Sequence, residues 1–129
     1  MLLLRRLSNA GLSPGAILWH QGEANAGDAD EGGVIYWQKL GEVIATFRHY
    51  GIKASFLVAL ATYCNGVTDD NVRRGQRSIV NPAQRIFQGP DTDLIRVDGR
   101  QKDDCHMNAW GQQRHAEAWA DALIPVIGR

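Results

Sequence analysis

Cysteine is scarce: the 129 residues contain two, Cys64 and Cys105, with no pairing motif between them. That excludes a disulfide scaffold and a four-cysteine zinc site, and free thiols would fit a reducing compartment. An excess of charge of either sign is missing too, since Lys+Arg and Asp+Glu are both 14. Nucleic acid and polyacidic substrates are therefore not expected as partners, because phosphate contacts need a local surplus of cations. Long apolar runs are absent as well. Leu2 to Leu4 is apolar but gives way at once to Arg5 and Arg6, the reverse of a secretory signal, and nothing approaches the roughly 20 apolar residues of a membrane span. No membrane association is expected, and the cytoplasm is the default location. Repeats, low-complexity tracts and interdomain linkers are also lacking.

What is present, 44% hydrophobic and 22% charged residues, is the balance of one globular domain spanning residues 1–129. A chain of this size buries roughly two thirds of its unfolded surface, enough for a core without staples. Residues 2–10 read as a helix ending at Gly11 and Pro14. Ala16 to Trp19 is a short continuous apolar run, the mark of a strand covered on both faces. Val34, Trp37, Leu40, Ile44 and Phe47 recur at helical spacing, with Arg48 and His49 in the last turn and Gly51 after it. Ala54 to Tyr63 is a second buried strand. Asn71 to Phe87 looks helical but should break near Pro82. Asp93 to Val97 is a third strand candidate, and Asn108 to Ile124 a final helix with Trp110, Ala118, Trp119, Ala122 and Leu123 on one face. This alternation predicts a three-layer α/β/α fold with a parallel sheet, whose chemistry collects beyond the carboxyl ends of the strands.

Two polar clusters fall at such positions. In Asp103-Asp104-Cys105-His106, a carboxylate three residues before a histidine can hold one ring nitrogen and leave the other free as a general base. The blander reading makes Asp103 a helix cap. In His20-Gln21-Gly22-Glu23, a glycine turn directly follows a strand, so Gln21 and Glu23 should project into the same crevice. There a side-chain amide can donate to a developing oxyanion and a glutamate can orient a histidine, or both can merely satisfy a tight loop.

Taken together, Trp19-His20-Gln21-Gly22-Glu23-Ala24-Asn25, the downstream Asp103-x-x-His106 and the helix containing Gly111 resemble the SGNH/GDSL hydrolases. The closer likeness is to the sialic-acid-specific and xylan acetylesterases, a carbohydrate esterase family 6-like group. The resemblance extends over nearly the whole chain and implies a flavodoxin-like SGNH fold that lacks its first strands, the sequence being N-terminally incomplete. It implies His106 as catalytic base, with Asp103 as its orienting acid and Glu23 as the competing orienter. Gln21 would donate to the oxyanion, with Gly22 and Asn25 shaping the loop. Such enzymes remove O-acetyl groups from sugars through a serine acyl-enzyme without metal or cofactor.

The family's serine block, of the form G-Q-S-N, does not occur here. Ser8 and Ser78 fall in helices, while Ser55 and Ser13 lie at the end of the sheet opposite the crevice, so no nucleophile is found. A Cys64–His106 thiol hydrolase and a zinc site from His20, Cys64, Cys105 and His106 are lesser alternatives. His49 and His115 read as surface helix residues and Trp37 and Trp119 as core, while Trp110 suits a sugar contact. The expectation is a carbohydrate O-acetylesterase region inactive without an upstream serine. Its rival is a non-catalytic carbohydrate-binding or interaction domain of the same fold. Without its first strands the sheet leaves Ile17 to Trp19 as an apolar edge, which should recruit a second copy or an N-terminal complementing chain.

Overall fold

In the computed structural model, which describes residues 6–7 and 9–127, one strand sets the architecture. Strand β2, Ser55–Leu60, is buried at every position, as an unbroken apolar run requires when both faces of a sheet are covered. On one side it pairs with β1, Ala16–Trp19, and on the other with β3, Ile86–Asp91, both parallel, giving the order β1-β2-β3.

Helix α1, Val34–His49, buries Tyr36, Leu40 and Ile44, a stripe of residues four apart that lies along one helical face. Its start is fixed by the buried Asp30 carboxylate, which accepts from Ile35 N and Tyr36 N at 2.8 Å each, as an anion should at a helix N-terminus. Helix α2, Asp70–Ser78, is capped by Asp69, which accepts from Val72 N at 2.9 Å. These two helices cover one face of the sheet, with Tyr36, Leu40, Ile44, Val72 and Ile79 packed on Phe56, Val58 and Ile86. Helix α3, Ala109–Ile127, covers the other, where Trp119 packs on Leu57, Ala59 and Ala61. The expected three-layer α/β arrangement is present.

Two expectations need correction, and a third holds. The third strand is Ile86–Asp91, not 93–97, where the chain instead makes two 3₁₀ turns. Gln88, Gly89 and Pro90 disguise it, but a strand at the sheet edge tolerates a proline that a central strand would not. The break at Pro82 is real: α2 ends at Ser78 and a 3₁₀ turn follows at Pro82–Gln84. Trp37, expected in the core, is 44% exposed, and Tyr36 beside it is the buried residue. The helix expected over 2–10 lies largely outside the described residues. Among these, nothing pairs with the outer side of β1, where Leu18 is 45% exposed. No helix among them is long and apolar enough to cross a membrane.

Candidate active site

The chain leaves β1 into Gln21 and Gly22 under tight control. The Gln21 carbonyl accepts from the Tyr36 hydroxyl at 2.6 Å and from Gln76 Nε2 at 3.0 Å. Gln76 is fully buried and also bridges both backbone groups of Ala61, donating to its carbonyl and accepting from its amide at 3.2 Å. A Cβ at Gly22 would lie 2.0 Å from the Ala61 carbonyl, so only glycine lets the turn pass so close to the end of β2. Gln21 Nε2 donates to Asn25 Oδ1 at 2.7 Å and Asn25 donates onward to Asp28 at 3.0 Å. One of the two Gln21 amide protons is thereby used, and the other has no partner among the described residues. Gln21 and Asn25 line a cavity of ≈ 380 Å³ together with Trp19, Tyr36 and Lys39.

Glu23 does not reach His106. Its Oε1 lies 2.8 Å from His20 Nε2, one 3₁₀ turn away, and the His20 Nδ1 lies 2.9 Å from His115 Nε2 on α3. Burial would push the Glu23 carboxyl up, but the hydrogen bonds from His20 and from its own backbone hold it below the ordinary range. His115, expected on the surface, is half-buried between His20 and Trp119.

His106 is held by Asp103. The contact from His106 Nδ1 to Asp103 Oδ2 is 2.6 Å, while Asp103 Oδ1 accepts from Cys105 N at 3.1 Å and His106 N at 3.0 Å. Asp104 makes the turn possible with φ of 49°, a left-handed conformation that Asp tolerates better than most residues. Asp103 is not the helix cap. That role falls to Asn108, which accepts from Gly111 N at 2.9 Å and donates to the Asp98 and Arg100 carbonyls. Gly111 is required there, because a Cβ would meet the Gly99 carbonyl at 2.0 Å. The His106 side chain is 77% exposed, with Nε2 unengaged by any hydrogen bond among the described residues.

The hydrogen bond from His106, helped by the two backbone amides, lowers the Asp103 pKa to about 2. A carboxylate depressed in the folded state stays charged until pH falls through that value. The Asp103 carboxyl carbon should therefore titrate near pH 2 by NMR, and His106→Ala should move it back up toward 3.8. A midpoint already near 3.8 in the unaltered chain would show that the pair is not formed.

Behind these loops, Asp93 is 2% exposed and accepts from Thr62 N at 2.6 Å, the Thr62 hydroxyl at 2.7 Å and Tyr63 N at 2.8 Å. Arg73 bonds to Asp93 and grips Asp91 through both guanidinium nitrogens at 2.9 and 2.7 Å. Burial would raise the Asp93 pKa, but these bonds outweigh it and hold the carboxyl below its ordinary range. This network fixes the chain just beyond β2, and the sequence reading did not find it.

The two cysteines correct another expectation. Cys64 and Cys105, 41 residues apart, are joined in a disulfide. Cys64 follows β2 and Cys105 precedes α3, and both loops gather beyond the same edge of the sheet, where Asn65 N also donates to the Asp104 carbonyl at 3.0 Å. The thiol-hydrolase and zinc readings fall with this pairing. So does the argument from free thiols for a reducing compartment, since such bonds persist where conditions are oxidising. Among the described residues no group of three His, Cys, Asp or Glu is placed to hold a metal. Replacing both cysteines by serine should cost about 4 kcal/mol, the loop-closure value for this separation. A denaturant midpoint unchanged by reduction would contradict that.

The structure thus brings Asp103 to His106, Gln21 to Asn25 and Glu23 to His20, but neither Asp103 nor His106 lines the cavity of Gln21. Ser55 is bound by Arg85 at 3.0 Å at the far end of β2, and Ser13 lies in a shallow pocket with Gly51 and Arg85. Ser8 lies outside the described residues. None of the described serines hydrogen-bonds His106.

An acid–imidazole pair and a glycine turn at the carboxyl edge of a parallel sheet, between helical layers, describe an α/β domain with a candidate acid–base site. The comparison with known families makes this particular: residues 2–125 match the carbohydrate esterase, sialic acid-specific acetylesterase family, and the chain belongs to it. No curated protein and no solved structure matches the chain.

Proposed function

We propose that these residues form the base and oxyanion side of a carbohydrate O-acetylesterase whose serine is supplied from outside this chain. The observation that carries the reading is the exposed His106 ring, bound to Asp103 through Nδ1 with Nε2 unengaged among the described residues. A serine hydroxyl placed there gives its proton to Nε2 as its oxygen attacks the acetyl carbonyl. The spare Gln21 amide proton is the donor for the oxygen that becomes negative. Collapse expels the sugar oxygen, which takes the proton back from His106, and water repeats the cycle to release acetate. Gly22 and Asn25 hold Gln21, and no metal or cofactor enters the scheme. The exposed edge of β1 is where further strands carrying the serine would dock.

A second reading, a non-catalytic carbohydrate-binding domain, draws on Trp110, 46% exposed one turn from His106 with the Arg114 guanidinium 5.2 Å over its ring. Hydrolysis of an aryl acetate separates the two. The chain alone should be inactive, and the chain joined to the coding sequence upstream of Met1 should turn over. Binding of acetylated glycans without turnover by the extended protein would favour the second reading.

A further inference from the structure

His20, Glu23, His115 and Trp119 form a chain of hydrogen bonds that the reaction scheme leaves unused, and the donors and acceptors in it favour one placement of protons. Trp119 Nε1 donates to His115 Nε2 at 3.0 Å. An indole nitrogen can only donate, so His115 Nε2 carries no proton and the ring is neutral with its proton on Nδ1. His20 Nδ1 lies 2.9 Å from that same bare nitrogen. Two bare nitrogens would repel, so the proton in this contact belongs to His20 Nδ1, and the His20 and Trp119 N–H groups share the one lone pair of His115 Nε2. The other nitrogen of His20 lies 2.8 Å from Glu23 Oε1, and a carboxylate can only accept. His20 therefore donates from both nitrogens, as an imidazolium facing a carboxylate.

The surroundings favour this placement. Burial disfavours a charge on His115, and His20 and Arg100 add positive charge around it against a single opposing Glu23. Around Glu23, the His20 bond outweighs the repulsion from Asp93. Trp119 sits in the core against Leu57, Ala59 and Ala61, so its N–H is aimed by packing. His115 is one helical turn before Trp119 on α3, which places both on one face.

We propose that His115 is a positioning residue: kept neutral by Trp119, it accepts the Nδ1 proton of His20, holds His20 as the charged partner of Glu23, and so clamps the turn that carries Gln21 to α3. The same helix begins just after His106, so one rigid element connects the two motifs of the site. The consequence for Gln21 rests on the esterase reading above, whereas the proton placement does not.

Nitrogen-resolved NMR of the unaltered chain at pH 7 tests the proton positions without any need for turnover. His20 should carry protons on both nitrogens, and His115 on Nδ1 alone. A proton on His115 Nε2, or a bare nitrogen on His20, would overturn the proposal. The clamp is read by hydrogen exchange at the Asn25 and Ala26 amides, which bond to the Gly22 carbonyl at 2.9 and 3.1 Å. His115→Phe keeps a ring but removes the acceptor and should speed their exchange roughly five-fold, about the worth of one hydrogen bond. His115→Gln, whose side-chain oxygen accepts, should exchange like the unaltered chain. Equal rates in the Phe and Gln variants would mean that His115 acts by packing alone.

Discussion

Once a serine is supplied, His106→Ala should lower the turnover of an acetyl ester by on the order of 10⁴-fold or more, with little change in stability. The small stability effect follows from exposure: the His106 side chain is 77% exposed and packs against no core residue. The kinetic effect follows from Nε2, the one position from which this ring can take and return a proton. Asp103→Asn should cost about 10⁴-fold by a different route. An amide can present its NH₂ to Nδ1 and so favour the tautomer with the proton on Nε2, where it blocks the base. Glu23→Gln should cost less than either, because Glu23 is bonded to His20 and not to His106. Steady-state kinetics on the three variants checks the order, and a Glu23→Gln loss as large as that of Asp103→Asn would reverse the assignment of the acid.

Asp93→Ala is expected to have a large effect on stability, about 3–5 kcal/mol, from the buried donors it leaves unsatisfied. It removes the acceptor for two buried backbone amides and the Thr62 hydroxyl, and one of the two carboxylates that Arg73 holds, leaving Arg73 paired with Asp91. An apparent Tm lower by about 10 °C or more should follow. Asp93→Asn keeps an oxygen for the amides and should cost less. The pH dependence has a definite sign. The Asp93 pKa is lowered in the folded state, so its contribution is fully present above the ordinary value of 3.8 and is lost as pH falls through the lower folded value. The Asn variant should therefore lose less stability on acidification than the unaltered chain. Thermal melts at pH 7 and pH 3 measure both effects, and an Asp93→Ala melt within a degree or two of the parent would contradict the account.

What could be read in the sequence was local. The run over 54–63 announced a buried strand because both faces of β2 are covered and no polar residue interrupts them. Strand β3 was hidden because Gln88, Gly89 and Pro90 carry turn signals, and only its place at the sheet edge makes them tolerable. The Asp103–His106 contact spans three residues within one loop, so its spacing allowed the pair but left a helix cap open as well, and the resemblance to a family decided between them. His20 and Glu23 have the same spacing and make the same kind of contact, a signal that was present but was read toward His106 instead. The Asp93–Arg73 bridge, the anchoring of Gln21 by Gln76, and the disulfide join residues that are far apart in the chain. Such contacts appear only when the parallel crossovers have brought the loops to one edge, and nothing in their local sequence marks them.

The central claim is that His106 and Asp103 serve a serine that does not belong to these 129 residues. A fluorophosphonate, which marks only an activated serine, tests it most directly when applied to this chain alone and to the chain joined to its upstream sequence. The account predicts no labelling of Ser8, Ser13, Ser55 or Ser78 in either, and labelling of an upstream serine in the extended protein that is lost in His106→Ala. Labelling of any of the four, abolished by the same substitution, would contradict it.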